Sequence, residues 1–377
     1  MTNKSLLQAL LILLGFSLQA QQFILTDIGK LKHSIDECSG LAVLPSGNIA
    51  MINDSGNDPE LFICDFSGKI VKKIDLPKVE NIDWEDLSYA NGYLYIGDIG
   101  NNKNKRENLS IYKYKVREND EVKLEGIISF SYQNQIEFPP ADVSKNFDAE
   151  ALITVGDSLF IFTKNRTKPF SGYTYVYGMS NQPGSYTLSP LDSFKTGIGE
   201  RDYYWVSGAA YQSSSNTLVL LGYDKVWFFY DFKGTDFFGG AHKVFQMKNL
   251  MQKESIDFVN ENTLIITDEE NSYGGGLIYQ AHFSLKPANQ PINVKNKTIE
   301  DTLTFNYHQK LMQPLLWEIF NTEGGSMAVG NFKSTDTSGT YQIDVSKLPP
   351  GGYILHLIFN GQSKAYKLKK LMLLKPY

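Results

Sequence analysis

The chain has 377 residues, 36 Lys and Arg against 41 Asp and Glu, a net charge of −5, 22 Tyr, 23 Phe, 31 Gly and two Cys. That length fits one large domain and a small one, and the acidic balance argues against nucleic acid as a partner while permitting cations. Two cysteines are too few for a zinc site or a disulfide scaffold, and abundant aromatics without helical periodicity after the first twenty residues predict an all-β protein.

Residues 1–20 begin with a basic Lys4, continue through an apolar stretch over 6–18 and end on small residues at Ala20. This is the pattern of a secretory signal peptide cut after Ala20. The apolar stretch is short for a membrane span, so the mature protein is expected to carry no transmembrane segment. Residues 23–32 then read as one strand.

A repeat follows. Each unit has two short apolar runs, and the second unit joins them by an Asn91-Gly92 turn, a hairpin signature. The first runs start at Ser39, Glu85, Glu150, Ser207 and Glu254, and the paired runs end at Asp54, Asp98, Lys164, Tyr223 and Asp268. Third and fourth runs follow in several units. The starts lie 46, 65, 57 and 47 residues apart, the four-strand spacing of a β-propeller. Five units are visible. The expectation is a propeller of five to six four-stranded blades over residues 21–287, with residues 23–32 closing the ring as an outer strand. Cys38 and Cys64 fall on strands two apart, about 9–10 Å by sheet spacing. That exceeds the roughly 7 Å reach of a disulfide, so two separate thiols are expected. Residues 288–300, rich in Pro, Asn and Lys, read as a linker. Short runs over 301–377 read as a small β-sandwich, and residues 289–377 carry ten lysines against six acids.

In a propeller the first strand of each blade lines the channel, and its start shares a face with the end of the second strand. The starts gather Ser39, Glu85, Glu150, Ser207 and Glu254. Two residues earlier stand Glu37, Asp83, Asp148, Trp205 and Gln252. Carboxylates at this density repel, raise one another's pKa or recruit a cation, and hard oxygen ligands suit calcium. The expected metal set is Asp54, Asp83, Glu85, Asp98, Asp148, Glu150, Glu254 and Asp268. The structural alternative is that each acid caps a turn or bonds backbone amides. Arg106, Lys164, Arg166 and Arg201, with Trp205 and Tyr223, are candidate ligand-binding groups. Acids holding calcium beside bases would suit a phosphoester, with Glu85, Asp98 and Glu150 as the candidate catalytic carboxylates. No HExxH, Gly-rich phosphate loop or GxSxG elbow is present.

Two resemblances add to this. The tail motifs Ile319-Phe-Asn-Thr-Glu-Gly324, Ile343-Asp-Val-Ser-Lys-Leu-Pro-Pro-Gly-Gly-Tyr353 and Gly361 to Lys367, with Lys369 and Lys370, resemble the type IX secretion C-terminal sorting domain. That implies export across two membranes of a Bacteroidetes-type cell, to the surface or the medium, with the secretion machinery as a partner. The motifs SGLAV (39–43), NDSGN (53–57), IDWEDLSY (82–89), LYIGDIGNN (94–102) and FDAEALI (147–153) resemble propellers grouped as "esterase-like activity of phytase". That resemblance implies the fold and hints at hydrolysis. Two functions stay open: a calcium-dependent ester or phosphoester hydrolase, or a non-catalytic secreted propeller binding a glycan, small ligand or protein through Trp84, Tyr203, Tyr204 and Trp205. The chain is expected to act as a monomer.

Overall fold

The computed structural model describes residues 23–371, except 249, 273, 286–291, 295–297, 308–310, 312, 337 and 360–361. The expected signal peptide, residues 1–20, lies outside the described residues. Residues 22–285 form one compact unit and 286–377 belong to a second. No described helix is long and apolar enough to cross a membrane.

The first unit is five sheets, antiparallel throughout their four blade strands. Blade I runs Cys38–Val43, Ile49–Asn53, Glu60–Cys64 and Ile70–Asp75. Blade II runs Trp84–Ala90, Tyr93–Asp98, Leu109–Val116 and Val122–Tyr132. Blade III runs Ala149–Val155, Ser158–Thr163, Tyr173–Ser180 and Pro190–Lys195. Blade IV runs Gly208–Gln212, Thr217–Leu221, Lys225–Tyr230 and Ala241–Gln246. Blade V runs Lys253–Asn260, Thr263–Asp268 and Leu277–Phe283, and Phe23–Lys30 pairs antiparallel with the last of these as its outer strand. The innermost strands neighbour one another in the cycle I–II–III–IV–V–I. The ring therefore closes with five blades, and the N-terminal strand completes the fifth. Part of the longer spacing in unit three is itself a strand, Gly184–Leu188, which joins the outer edge of blade II in parallel.

Local chemistry explains the blades. Asn91 and Gly92 both hold positive φ, 54° and 81°, as a two-residue I′ hairpin turn requires. The second strands are continuous apolar runs, buried on both faces, because neighbouring blades cover both sides. Five apolar clusters fill the five gaps between adjacent blades. Trp84 belongs to the gap between blades I and II, fully buried, its indole N–H donating to Glu80 O at 2.9 Å. It is a packing wedge and not an exposed ligand platform. Cys38 and Cys64 are both buried and free, and burial raises their thiols to about 11 and about 12.

The second unit is a two-sheet sandwich. One sheet holds Ile292–Val294, Thr302–Tyr307 and Gly339–Asp344. The other holds Thr298–Ile299, Leu315–Asn321, Ser326–Phe332, Gly351–Phe359 and Gln362–Lys370. Its core gathers Leu303, Phe305, Ile319, Ile343, Leu355 and Leu357. The expected linker at 288–300 is corrected here: Ile292 and Ile299 are buried in that core, so their strands are part of the sandwich.

Candidate functional site

The inner strands of blades I, II, III and V each carry a register break at the same place, between Cys38 and Gly40, Trp84 and Asp86, Ala149 and Ala151, and Lys253 and Ser255. The extra residues are Ser39, Glu85, Glu150 and Glu254. In blade IV, Ser207 N–H bonds Leu221 O while Gly208 pairs with the same Leu221. A bulge re-aims the side chain of its extra residue. Repeated around the ring, it turns Ser39, Glu85, Glu150 and Glu254 into the channel mouth.

A cavity of about 170 Å³ opens there. Besides the bulged residues its wall takes Glu37 and Gln252 from just upstream, and Asp54, Lys164, Tyr223 and Glu269 from just after the second strands. Asn102 and Arg166 complete it. Asp54, Asp83 and Glu85 place carboxylate oxygens within 4.8 Å of one another, and so do Glu85, Asp148 and Glu150.

The bulge also corrects two expected ligands. Asp98 and Asp268 stand opposite Trp84 and Lys253, one step out of phase with Glu85 and Glu254. Both are fully buried. Asp98 bonds Arg106 Nη2 at 2.7 Å, Tyr112 OH at 3.2 Å and Asp83 N–H at 3.1 Å. Asp268 accepts Tyr279 OH at 2.6 Å and Leu277 N–H at 2.8 Å. Neither reaches the mouth. Arg106, spent on Asp98 and on Gly100 O, does not line it either. At the end of the second strand of blade V, the residue that does face the mouth is Glu269. In blade II the corresponding place goes to Gly100, whose N–H bonds Asp83 O as Asp54, Lys164 and Glu269 bond Glu37, Asp148 and Gln252. A Cβ there would collide with Glu85 Oε1 and lie 2.6 Å from the Asp83 carboxyl carbon. Aligning the second strands on Asp98 and Asp268 with Asn53 and Thr163 would have exposed Glu269, one residue on; Gly100 stands two residues after Asp98, so its place needs a further one-residue insertion.

The two carboxylate trios differ in their counterions. Glu150 accepts Lys164 Nζ at 2.8 Å and Arg166 Nη2 at 2.9 Å. Burial works to raise its carboxyl, but these two cations hold it below the ordinary range. Arg166 Nε also reaches Asp148 Oδ2 at 2.5 Å, and Asn101 N–H reaches Asp148 Oδ1 at 2.5 Å. Among the described residues no Lys, Arg or His forms an ion pair with Asp54, Asp83 or Glu85. Burial, reinforced by Glu150, Asp54 and Asp148, pushes Glu85 well above the carboxylate range. Burial likewise raises Asp83 and takes Asp54, Glu254 and Glu269 to about 7. Ser39, 3% exposed, leaves its Oγ without a hydrogen-bond partner beside these acids.

The remaining candidates form an aromatic shoulder. Trp205 is buried, its indole N–H on Asn165 O at 2.5 Å, with the Arg166 and Arg201 guanidinium carbons 4.7 Å and 4.8 Å from its ring centre. Tyr223 OH donates to Glu254 at 3.3 Å. Arg201 and Tyr203 are exposed.

Residues 286–372 match the model of the secretion system C-terminal sorting domain. No curated protein sequence matches the chain. Among solved structures, the chain is similar to the PQQ-bound aldose sugar dehydrogenase of Streptomyces coelicolor, at 11% identity and a TM-score of 0.43, covering 70% of this chain and 99% of that one. A putative oxidoreductase (glucose dehydrogenase) of Thermus thermophilus matches at 10% identity and a TM-score of 0.41, over 70% of this chain and 100% of that one. The major allergen Mala s 1 of Malassezia sympodialis matches at 11% identity and a TM-score of 0.40, over 92% and 95%. The sorting domain fixes the destination: the protein leaves the cell by type IX secretion, for the cell surface or the extracellular space.

Proposed function

We propose that the propeller is a calcium-dependent hydrolase of small phosphoesters working at this mouth. The observation that carries the reading is the trio Asp54, Asp83 and Glu85, three carboxylates within 4.8 Å that lack a basic partner among the described residues, with the orphaned Ser39 Oγ beside them. Three acids and a hydroxyl are hard oxygen donors of the kind calcium takes. Crowded acids held partly or wholly out of water without counterions keep protons or a metal. The cavity admits an ion and a small head group. Lys103, which follows Asn102 of the wall, stands exposed with Lys105 and Arg201 to meet an anion. A bound divalent ion would supply neutralisation and polarisation of the phosphoryl oxygens.

The chain's own proton acceptor is Glu254. It lines the cavity, is bonded by Tyr223 OH and is raised by burial to about 7, the range in which a carboxylate works as a general base. Water attacks phosphorus and passes a proton to Glu254, the ester P–O bond breaks, and the leaving oxygen departs as the alcohol or phenol, taking its proton from solvent.

The test uses the full chain, melted in EDTA and in millimolar calcium and assayed on bis(p-nitrophenyl) phosphate. Saturation a hundredfold above Kd stabilises by about 2.7 kcal/mol. Asp54→Asn is expected to lose the melting shift. Glu254→Gln keeps the shift and loses turnover. A calcium shift with no turnover on any ester would replace the hydrolase by a calcium-bound propeller that binds a glycan, small ligand or protein. No shift would remove the calcium site.

A further inference from the structure

The mouth holds two carboxylate trios that share Glu85, yet only one is open. We propose that Arg166 is a built-in counter-cation that occupies the second trio, so that the mouth takes one divalent ion where its carboxylates could hold two. The inference rests on the calcium reading above and adds to it the stoichiometry and the residue that sets it.

The geometry is specific. Asp148 and Glu150 belong to the second trio alone, and the Arg166 guanidinium bridges them, Nε to Asp148 Oδ2 at 2.5 Å and Nη2 to Glu150 Oε1 at 2.9 Å. Nη2 also bonds Asn102 Oδ1. Two acidic oxygens and an amide oxygen thus converge on one delocalised charge, as oxygens converge on a metal. The Trp205 ring, 4.7 Å away, backs the guanidinium. Lys164 covers the other Glu150 oxygen at 2.8 Å. The open trio is built from the same residue types, and its equivalent places carry Asp54 and Gly100 where blade III carries Lys164. The difference between the trios therefore lies in the cations that blade III supplies from its own loop.

Calcium chloride titrated calorimetrically into the full chain reads this directly. The native protein is expected to bind one ion and Arg166→Gln two, while Arg166→Gln with Asp148→Asn returns to one. Arg166→Lys, which keeps a charge, stays at one. A folded Arg166→Gln that binds a single ion overturns the proposal. If Arg166→Gln is unfolded in EDTA, calcium should refold it, because the ion takes the guanidinium's place; failure to refold with millimolar calcium also counts against the idea. A native protein that binds none beside an Arg166→Gln that binds one would sink the open-trio reading and leave the guanidinium's role standing. No binding by either protein would sink both.

Discussion

Two sets of carboxylates stand on or beside the inner strands. Glu85 sits at the mouth with Asp54 and Asp83, and its chain neighbour Asp86 lies one step deeper. Asp86 is fully buried, but its oxygens accept Leu87 N–H and Leu152 N–H at 2.8 Å each, and Ala209 N–H as well. Those partners lie on blades II, III and IV. Asp257 of blade V accepts Val43 N–H of blade I at 2.8 Å and Phe258 N–H at 2.7 Å. Glu85 is buried like Asp86, while Asp54 and Asp83 are half-buried, so burial alone does not mark the site. What differs is whether the acceptor lone pairs are matched by fixed donors. The deep acids are matched and staple the ring; the acids of the open trio face one another.

This contrast makes its largest prediction at Asp86. Asp86→Ala orphans three buried backbone N–H groups on three blades, at about 1–3 kcal/mol each, and is expected to destabilise the propeller by roughly 3–5 kcal/mol, with the calcium-induced shift retained in whatever folds. Denaturant melts measure it. A loss under about 1 kcal/mol would erase the distinction between stapling and site acids.

Asp98 sharpens the same comparison from the other side. Its carboxylate is fully buried against Arg106, whose side chain is 12% exposed. Breaking a buried pair by removing one partner costs about 3–5 kcal/mol, and the water within reach of Arg106 puts Asp98→Ala at the low end. The calcium shift should survive, since Asp98 lies outside both trios. Loss of the shift with little loss of stability would return Asp98 to the metal set.

These cases show what the sequence can and cannot reveal. Five repeats, the Asn91-Gly92 turn and the N-terminal closing strand are legible because hydrophobic period and turn chemistry are local. The mouth column Ser39, Glu85, Glu150 and Glu254 is legible because the repeat aligns it. Asp98 and Asp268 are misplaced by an unbulged reading, because a bulge adds one residue to the inner strand and reverses the face of everything opposite. Glu269 escapes for that reason, and Gly100 because the chain after Asp98 holds one residue more than its counterparts. The pairing of Arg166 with Asp148 and Glu150 is also hidden, since it spans 16 and 18 residues and two loops. Residues 288–300 read as a linker because Pro, Asn and Lys dominate them, although Ile292 and Ile299 supply the buried contacts.

The smallest expected effect is a pH dependence, and its sign follows from the buried acids of the mouth. Asp54, Asp148, Glu254 and Glu269 are raised by burial to about 7, Asp148 in spite of its Arg166 partner, whereas an unfolded carboxylate titrates near 4. Between those values the folded chain without calcium binds more protons than the unfolded chain, so its stability falls as pH rises from about 4 to 7. Glu150, held below its ordinary range by Lys164 and Arg166 against its burial, works in the opposite sense, but only below about pH 4.5 and outside that window. In EDTA the melting temperature should therefore drop by a few degrees from pH 5 to pH 8. In calcium the drop should vanish, because the ion binds the ionised acids and its stabilisation grows as their protons leave. Melts at pH 5, 6, 7 and 8 with and without calcium give both curves. A melting temperature in EDTA that rises with pH, with a calcium gain constant across the range, would mean that the open trio is ionised and internally paired, and the contrast between the two sets of carboxylates would collapse.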